Sequence, residues 1–285
     1  MRNKYFNNVV VRKRFGQNFL TDKRVINEII EKANFTSDDF VMEIGPGHGV
    51  LTEQIVEKAG KLTAVEIDRD LVEELKVKFK DNTNFDIISS DILKYNLNDL
   101  DFGSFKIENR KAIGNIPYYI TTPIIMKIIN EDSLRVNGVK NTPKLFSELI
   151  IMVQKEVGER IVAKEGTKEY GSLSVICQYA CEVEKLVDVP SKAFYPSPKV
   201  DSVVIRLKMK NEDQYDIKTP KIFWRIIKGV FTSRRKTLKN SLKITGFNEE
   251  TILKTEKEFD LSIRGETMNM TQFSNLSNFI GTLEN

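Results

Sequence analysis

The chain has 285 residues, 40% of them hydrophobic and 29% charged, with a formal net charge of +4. That composition fits a globular protein with a real core, built as one large domain or a domain with a smaller companion. Two cysteines (Cys177 and Cys181) and one histidine (His48) exclude a disulfide framework, a four-cysteine zinc site and any relay of two imidazoles, so no metal site is expected.

No run reaches the ~20 apolar residues of a membrane helix. The opening MRNKYFNNVV lacks the pattern of a secretory signal, so a cytoplasmic location without membrane contact is expected. The charge is unevenly placed. Residues 1–24 hold seven basic side chains (Arg2, Lys4, Arg12, Lys13, Arg14, Lys23, Arg24) against Asp22 alone. Residues 221–243 hold eight basic side chains and no acid, which leaves −10 for the remainder. Such segregation suggests a polyanionic partner, although solvated helix faces produce the same pattern.

In chain order, VINEIIEKA (25–33) places Val25, Ile26, Ile29 and Ile30 on one helical face. FVMEIGPGHG (40–49) is a short strand running into a glycine-rich turn. VLTEQIVEKA (50–59) has helical periodicity, with Gly60 as its C-cap. KLTAVEID (61–68) is a second strand, RDLVEELKVKFK (69–80) an amphipathic helix, FDIISSD (85–91) a third strand and KAIGNIPYY (111–119) a fourth. This alternation is the signature of parallel βαβ units. TPIIMKIIN (122–130) reads as helix, SELIIMV (147–153) as a fifth strand and QKEVGERIVA (154–163) as helix. CEVEKLVDV (181–189) and DSVVIRLKMK (201–210) alternate in the manner of a sheet's antiparallel end. NEDQYDIKTP (211–220) reads as a linker, and every periodic segment after it is helical. The expected organisation is therefore an α/β domain over 1–210 and a small all-helical domain over 211–285.

Glycines 45, 47 and 49 follow a strand and precede a helix, which permits a tight turn and close approach of a ligand. The spacing misses a dinucleotide fingerprint, since position 50 is valine, and no Lys-Ser/Thr follows to make a phosphate loop. A glycine loop alone also fits a plain strand-to-helix turn. Glu66 ends the second strand about 20 residues on, where an acid accepts from ribose hydroxyls. Asp91 ends the third, where a carboxylate can accept from an adenine amino group. Two acids suit a nucleoside without phosphates, and S-adenosylmethionine, with its sulfonium, is such a ligand.

Gly114-Asn115-Ile116-Pro117-Tyr118 ends the fourth strand on the same edge. An adenine amino group is a poor nucleophile because its lone pair is delocalised into the ring. Acceptors for both its hydrogens (the Asn115 side-chain oxygen and a backbone carbonyl near Ile116) would favour a pyramidal nitrogen, Pro117 would aim that carbonyl, and Tyr118 offers a ring for the base. AFYPSPKV (193–200) adds Phe194 and Tyr195 in a proline-stiffened loop. In FTSRRKTLKNSLK (231–243), Ser233 reads as an N-cap that places Arg235 and Lys239 one helical turn apart, with Arg234 and Lys236 beside them as phosphate contacts. Cys177, Cys181 and Trp224 read as core.

EIGPGHG, NIPYYITTPI, AFYPSPKVDS and FTSRRKTLKNSL, in this order and spacing, resemble the KsgA/RsmA family of ribosomal RNA adenine dimethyltransferases. The resemblance runs from GQNFL (16–20) to RGETMNMTQFSNLSNFI (264–280). It implies a Rossmann-like class I S-adenosylmethionine-dependent methyltransferase with a small all-helical C-terminal domain. It implies cofactor contacts from Asn18, Leu20, Gly45, Glu66, Asp91 and Asn115. Asn115 and Tyr118 would hold the target adenine, and Phe194 would stack on its other face. Ile116 stands where the family often has leucine, and His48 falls at a variable place with no assigned role. The implied substrate is a pair of adjacent adenosines in the 3′-terminal hairpin loop of small-subunit (16S) rRNA, within a pre-30S or 30S particle. The implied state is a monomer. Two alternatives stand beside it: a macrolide-resistance-type 23S rRNA adenine methyltransferase, and a non-catalytic ribosome assembly factor.

Overall fold

The computed structural model describes residues 18–284. The basic residues Arg2, Lys4, Arg12, Lys13 and Arg14 lie outside the described residues. The first elements among the described residues are the two-residue strand β1 (Phe19–Leu20) and helix α1 (Lys23–Ala33). Asp22 caps α1 by accepting from the Arg24 N–H, and Asn34 closes it in the left-handed region. Val25, Ile26, Ile29 and Ile30 are buried, as their spacing predicts.

The βαβ alternation follows: β2 (Phe40–Ile44), α2 (Thr52–Val56), β3 (Lys61–Glu66), α3 (Arg69–Lys78), β4 (Phe85–Ser89) and β5 (Arg110–Asn115). Helix α2 is shorter than its periodicity suggests, and Gly60 is not its cap. The Gly60 N–H donates to the Asp39 carbonyl at 3.0 Å. A Cβ there would lie 2.1 Å from the Ser37 carbonyl oxygen, so glycine answers a close backbone approach instead.

Next come α4 (Thr121–Ile128), α5 (Glu131–Asn137), β6 (Glu148–Gln154), α6 (Lys155–Val162), α7 (Ser172–Ala180), β7 (Cys181–Val189), β8 (Phe194–Tyr195) and β9 (Ser202–Met209). The sequence reading lacks α7 because SLSVICQYA is buried almost all round, which erases the 3.6-residue period. It lacks β1 and β8 because two residues carry no period at all.

Among the described residues the main sheet has seven strands in the order β4-β3-β2-β5-β6-β9-β7. Strands β4 through β6 are parallel, and β9 runs antiparallel to both its neighbours. The chain winds outward from β2 to β4, then returns to the other side of β2 with β5. That reversal opens a crevice at the carboxyl ends of β2 and β5, where open α/β sheets bind ligands.

The C-terminal segment is helical: α8 (Pro220–Thr232), α9 (Leu238–Ile244), α10 (Glu249–Glu256) and α11 (Met270–Glu284). One apolar cluster runs from Phe40 and Leu149 on the sheet to Trp224 and Phe273 in these helices. The segment before α8 is held in place: Asp213 accepts from the Val139 N–H and the Tyr179 hydroxyl, both at 2.9 Å. Cys177 and Cys181 are buried and free, and burial pushes the Cys181 thiol up to about 12, so both serve as small core residues. Trp224 is core as well, edge-on to Phe223 at 4.9 Å.

Candidate active site

Because β2, β3, β4 and β5 are parallel and in register, the residues that end them meet along one edge. Ile44 pairs with Val65 and Gly114, and Glu66 pairs with Ser89. One cavity at this edge is lined by Asn18, Leu20, Gly45, Glu66, Asp91, Asn115 and Tyr118. These are the sequence-predicted cofactor residues together with two of the three predicted catalytic residues, gathered from a span of about 100 positions.

Gly45, Gly47 and Gly49 all sit at positive φ (65°, 61° and 78°), so the turn itself requires glycine. The crowding on its inner side differs by position. A Cβ on Gly47 would meet the Phe19 ring at 3.2 Å, and one on Gly49 would meet Leu75 Cδ2 at 2.8 Å.

Glu66 is held by two backbone donors, the Asp68 N–H at 2.8 Å to Oε1 and the Gly47 N–H at 3.3 Å to Oε2. Each oxygen keeps a second lone pair for a ligand hydroxyl. Burial raises its pKa, and the backbone donors pull it part of the way back. Asp91 accepts from the Leu93 N–H through Oδ1 at 2.9 Å, which leaves Oδ2 with no partner among the described residues. Among the described residues the lining includes Glu66 and Asp91 and no lysine or arginine. An acidic wall of that kind suits a cationic nucleoside and opposes a pyrophosphate. The residues present therefore fit S-adenosylmethionine: Glu66 for ribose hydroxyls, Asp91 for the adenine amino group, and the glycine turn for close backbone approach.

Asn115 is the last residue of β5 and is half-buried, and no described side chain or backbone group bonds its side-chain amide. Its acceptor oxygen is thus available to a ligand. The loop after it is internally braced, since the Pro117 carbonyl accepts from the Ile120 N–H at 3.1 Å and the Thr121 hydroxyl at 3.5 Å. Tyr118 opens a single 3-10 turn, and its hydroxyl lies 2.7 Å from the Ser202 hydroxyl at the start of β9. Burial raises the Tyr118 pKa, so the phenol stays neutral.

Phe194 stands apart from the cavity wall. It is 4% exposed and pairs with Leu20 across the β1–β8 ladder. Leu20 lines the cavity and Phe194 supports it within the same apolar cluster. A buried ring has no free face for a base, so the stacking expected of Phe194 has no surface here. Among the described residues, Tyr119 in the lining is 67% exposed, and Tyr195, the strand partner of Phe19, is 53% exposed. Tyr119, Ile67 and Phe19 line or flank the cavity beside predicted residues; only their adjacency to the motifs marks them in the sequence. The β1–β8 ladder also joins Phe19 and Leu20 to the AFYP segment, with the Thr21 N–H donating to the Ala193 carbonyl at 2.8 Å. His48 packs on Phe19 at 4.7 Å and bonds Glu74.

The basic junction departs from its reading. Ser233 ends α8 rather than capping a new helix, and Thr237 is the N-cap of α9. Arg235 therefore lies in the turn between helices, and Lys239 in α9, so the two do not share a helical face. Arg234 pairs with Glu266 at 2.8 Å and Lys239 with Glu256 at 2.7 Å. Arg225 and Lys243 pair with Glu284 and Glu249. Acids from later in the chain thus neutralise part of the run that looks uniformly basic in sequence. Arg235 and Lys236 remain exposed, with no ion pair among the described residues. Among the described residues no cluster could hold a metal ion, and no helix is long and apolar enough to cross a membrane.

Residues 8–281 match the family model described as Ribosomal RNA adenine dimethylase. A relative from Clostridium acetobutylicum named Ribosomal RNA small subunit methyltransferase A is 42% identical over 273 residues, covering 94% of this chain and 93% of its own. One of the same name from Caldanaerobacter subterraneus subsp. tengcongensis is 39% identical, covering 94% and 96%. Among solved structures, a dimethyladenosine transferase from Plasmodium falciparum matches with a TM-score of 0.74 and 25% identity, covering 92% of this chain and 98% of that one. The 23S rRNA methyltransferase ErmE shares the fold, with a TM-score of 0.65 at 23% identity over 93% of this chain and 100% of that one. The chain belongs to the ribosomal RNA adenine dimethylase family.

Proposed function

We propose that this enzyme transfers methyl groups from S-adenosylmethionine to the N6 amino nitrogens of two adjacent adenosines in the 3′-terminal hairpin loop of small-subunit rRNA. The observation that carries the reading is the meeting of Gly45, Glu66, Asp91, Asn115 and Tyr118 on one cavity. The relatives at 42% and 39% identity, both named for the small subunit, favour that rRNA over the large-subunit one.

S-adenosylmethionine supplies an electrophilic methyl group on a sulfonium. The chain's own residues do the rest. Glu66 and Asp91 hold the nucleoside by its hydroxyls and amino group. The Asn115 side-chain oxygen and a backbone carbonyl near Ile116 accept from the target amino group and turn its lone pair away from the ring. Tyr118 supplies a face for the base, and exclusion of water strengthens each of these contacts. Once methylated, the nitrogen carries an acidic proton, so no strong base is required beside it.

The substrate would be presented within a pre-30S or 30S particle to a monomeric, cytoplasmic enzyme. Residues 1–210 would form the catalytic domain and residues 211–285 an RNA-facing addition. Arg235 and Lys236 are its phosphate contacts, while Arg234 and Lys239 reach RNA only by exchanging their acidic partners. Incubation with labelled cofactor and purified subunits tests the reading. Label in adenines of small-subunit rRNA supports it; label in large-subunit rRNA points to the macrolide-resistance type, and none at all to an assembly factor.

A further inference from the structure

The reading of Tyr118 as a base platform leaves its hydroxyl without a task, because stacking uses only the ring. Among the described residues that hydroxyl has one partner, Ser202 Oγ, at 2.7 Å and 84 residues away in sequence. Ser202 is the first residue of β9 and is 1% exposed. Its backbone is paired on both sides, with Gln154 of β6 and Val189 of β7. The residue before it is fixed too: the Asp201 carbonyl accepts from the Lys155 N–H at 3.0 Å, and its carboxylate accepts from the Ser191 N–H at 2.8 Å. The Ser202 hydroxyl is therefore a stationary point on the sheet. Tyr118, by contrast, sits on a loop that enters a one-turn 3-10 segment and ends beside the exposed Tyr119.

We infer that Ser202 is a positioning residue whose hydroxyl ties the far end of the Tyr118 ring to the sheet and so fixes where the ring stands against the target base. The inference rests on the reading of Tyr118 given above. A ring left to swing about its Cα–Cβ bond would blur the alignment of the amino nitrogen with the methyl donor, and small misplacements of reacting groups reduce rates by large factors. The bond acts on the chemical step and leaves cofactor affinity alone, because Glu66, Asp91 and the glycine turn lie on other elements.

The test is a double-mutant cycle on small-subunit particles, measuring kcat and the KM for S-adenosylmethionine in Tyr118→Phe, Ser202→Ala and the double variant. Each single change should lower kcat by about tenfold, with the cofactor KM unchanged, and the double variant should be no worse than either single one. Multiplicative losses would mean that Ser202 acts independently of Tyr118, and would overturn the inference. If Ser202→Ala fails to fold, Tyr118→Phe decides alone, since it removes the tether and leaves β9 intact; full activity overturns the proposal. Tyr118→Ala separates the two layers. Full activity there sinks the platform reading and the tether with it, whereas a loss in Tyr118→Ala beside a normal Tyr118→Phe sinks the tether only.

Discussion

The Thr52 hydroxyl donates to Oε2 of Glu43 at 2.7 Å, joining the first residue of α2 to the penultimate residue of strand β2. Both side chains are buried, at 0% and 1% exposure. Glu43 thus sits in an apolar sheet directly before the glycine turn. Its pKa is pushed up to about 7, chiefly by burial and further by the neighbouring Glu66 charge, while the Thr52 bond and Lys78 pull it down.

That shift makes stability depend on pH. Below the ordinary value of 4.5 the carboxyl is protonated in both folded and unfolded chains. Between 4.5 and about 7 the unfolded chain releases the proton and the folded one keeps it, so this group's contribution falls as pH rises. Above about 7 the loss is complete, on the order of 3 kcal/mol. Glu43→Gln keeps an acceptor for Thr52 and removes the titration. Its melting temperature should gain on the wild type progressively from pH 4.5 to 7 and then level off. A difference that does not vary with pH would show that Glu43 is ionised without penalty.

Asn115→Ala should lower methyl transfer by at least about 100-fold, the scale seen when a single hydrogen-bonding group is removed from an active site. The side chain bonds nothing else described, so thermal stability and particle binding should stay near wild type. Single-turnover label transfer beside a sedimentation assay reads both properties, and near-normal transfer rejects the assigned role.

Gly49→Ala should destabilise the glycine turn by roughly 1–3 kcal/mol, because the residue holds a φ of +78° and a Cβ would lie 2.8 Å from Leu75 Cδ2. Urea titration measures the loss. An unchanged midpoint would mean that α3 shifts freely to admit the methyl group.

Pairing sorts the basic junction into two kinds of residue. Reversing Arg235 and Lys236 to glutamate should weaken particle association and lower its salt slope by roughly one for each phosphate no longer neutralised. Folding should change little, since neither side chain has a described ion pair. Arg234→Ala should show itself mainly as a small stability loss of under about 1 kcal/mol, because its guanidinium bonds Glu266 and both are partly exposed. Equal effects of the two changes on the salt slope would contradict this division.

Much of the fold was legible because β2, β3, β5 and β6 are short apolar runs bounded by turns, and parallel strands buried on both faces must read that way. The strand-end acids were legible for a related reason: a charged residue that ends such a run has little structural use. Burial on all sides hid α7, and the length of α2 was overstated because its periodicity continues through Val56 into a turn pinned to Asp39. Ser233 misled because a serine before a basic run has the look of a cap, whereas the apolar stripe of α8 runs up to it and Thr237 does the capping. Pairwise relationships were out of reach. Nothing in the sequence joins Tyr118 to Ser202, Leu20 to Phe194 or Arg234 to Glu266, since each depends on where distant segments land.

The residues meeting at the carboxyl edge of this sheet are expected to methylate adenine N6 in small-subunit rRNA. The most direct measurement is nucleoside analysis of rRNA from purified small and large subunits after incubation with the enzyme and labelled S-adenosylmethionine. The expected product is N6,N6-dimethyladenosine in small-subunit rRNA, two residues per particle, adjacent in the 3′-terminal hairpin loop. Label confined to the large subunit, or label on any atom other than adenine N6, would contradict it.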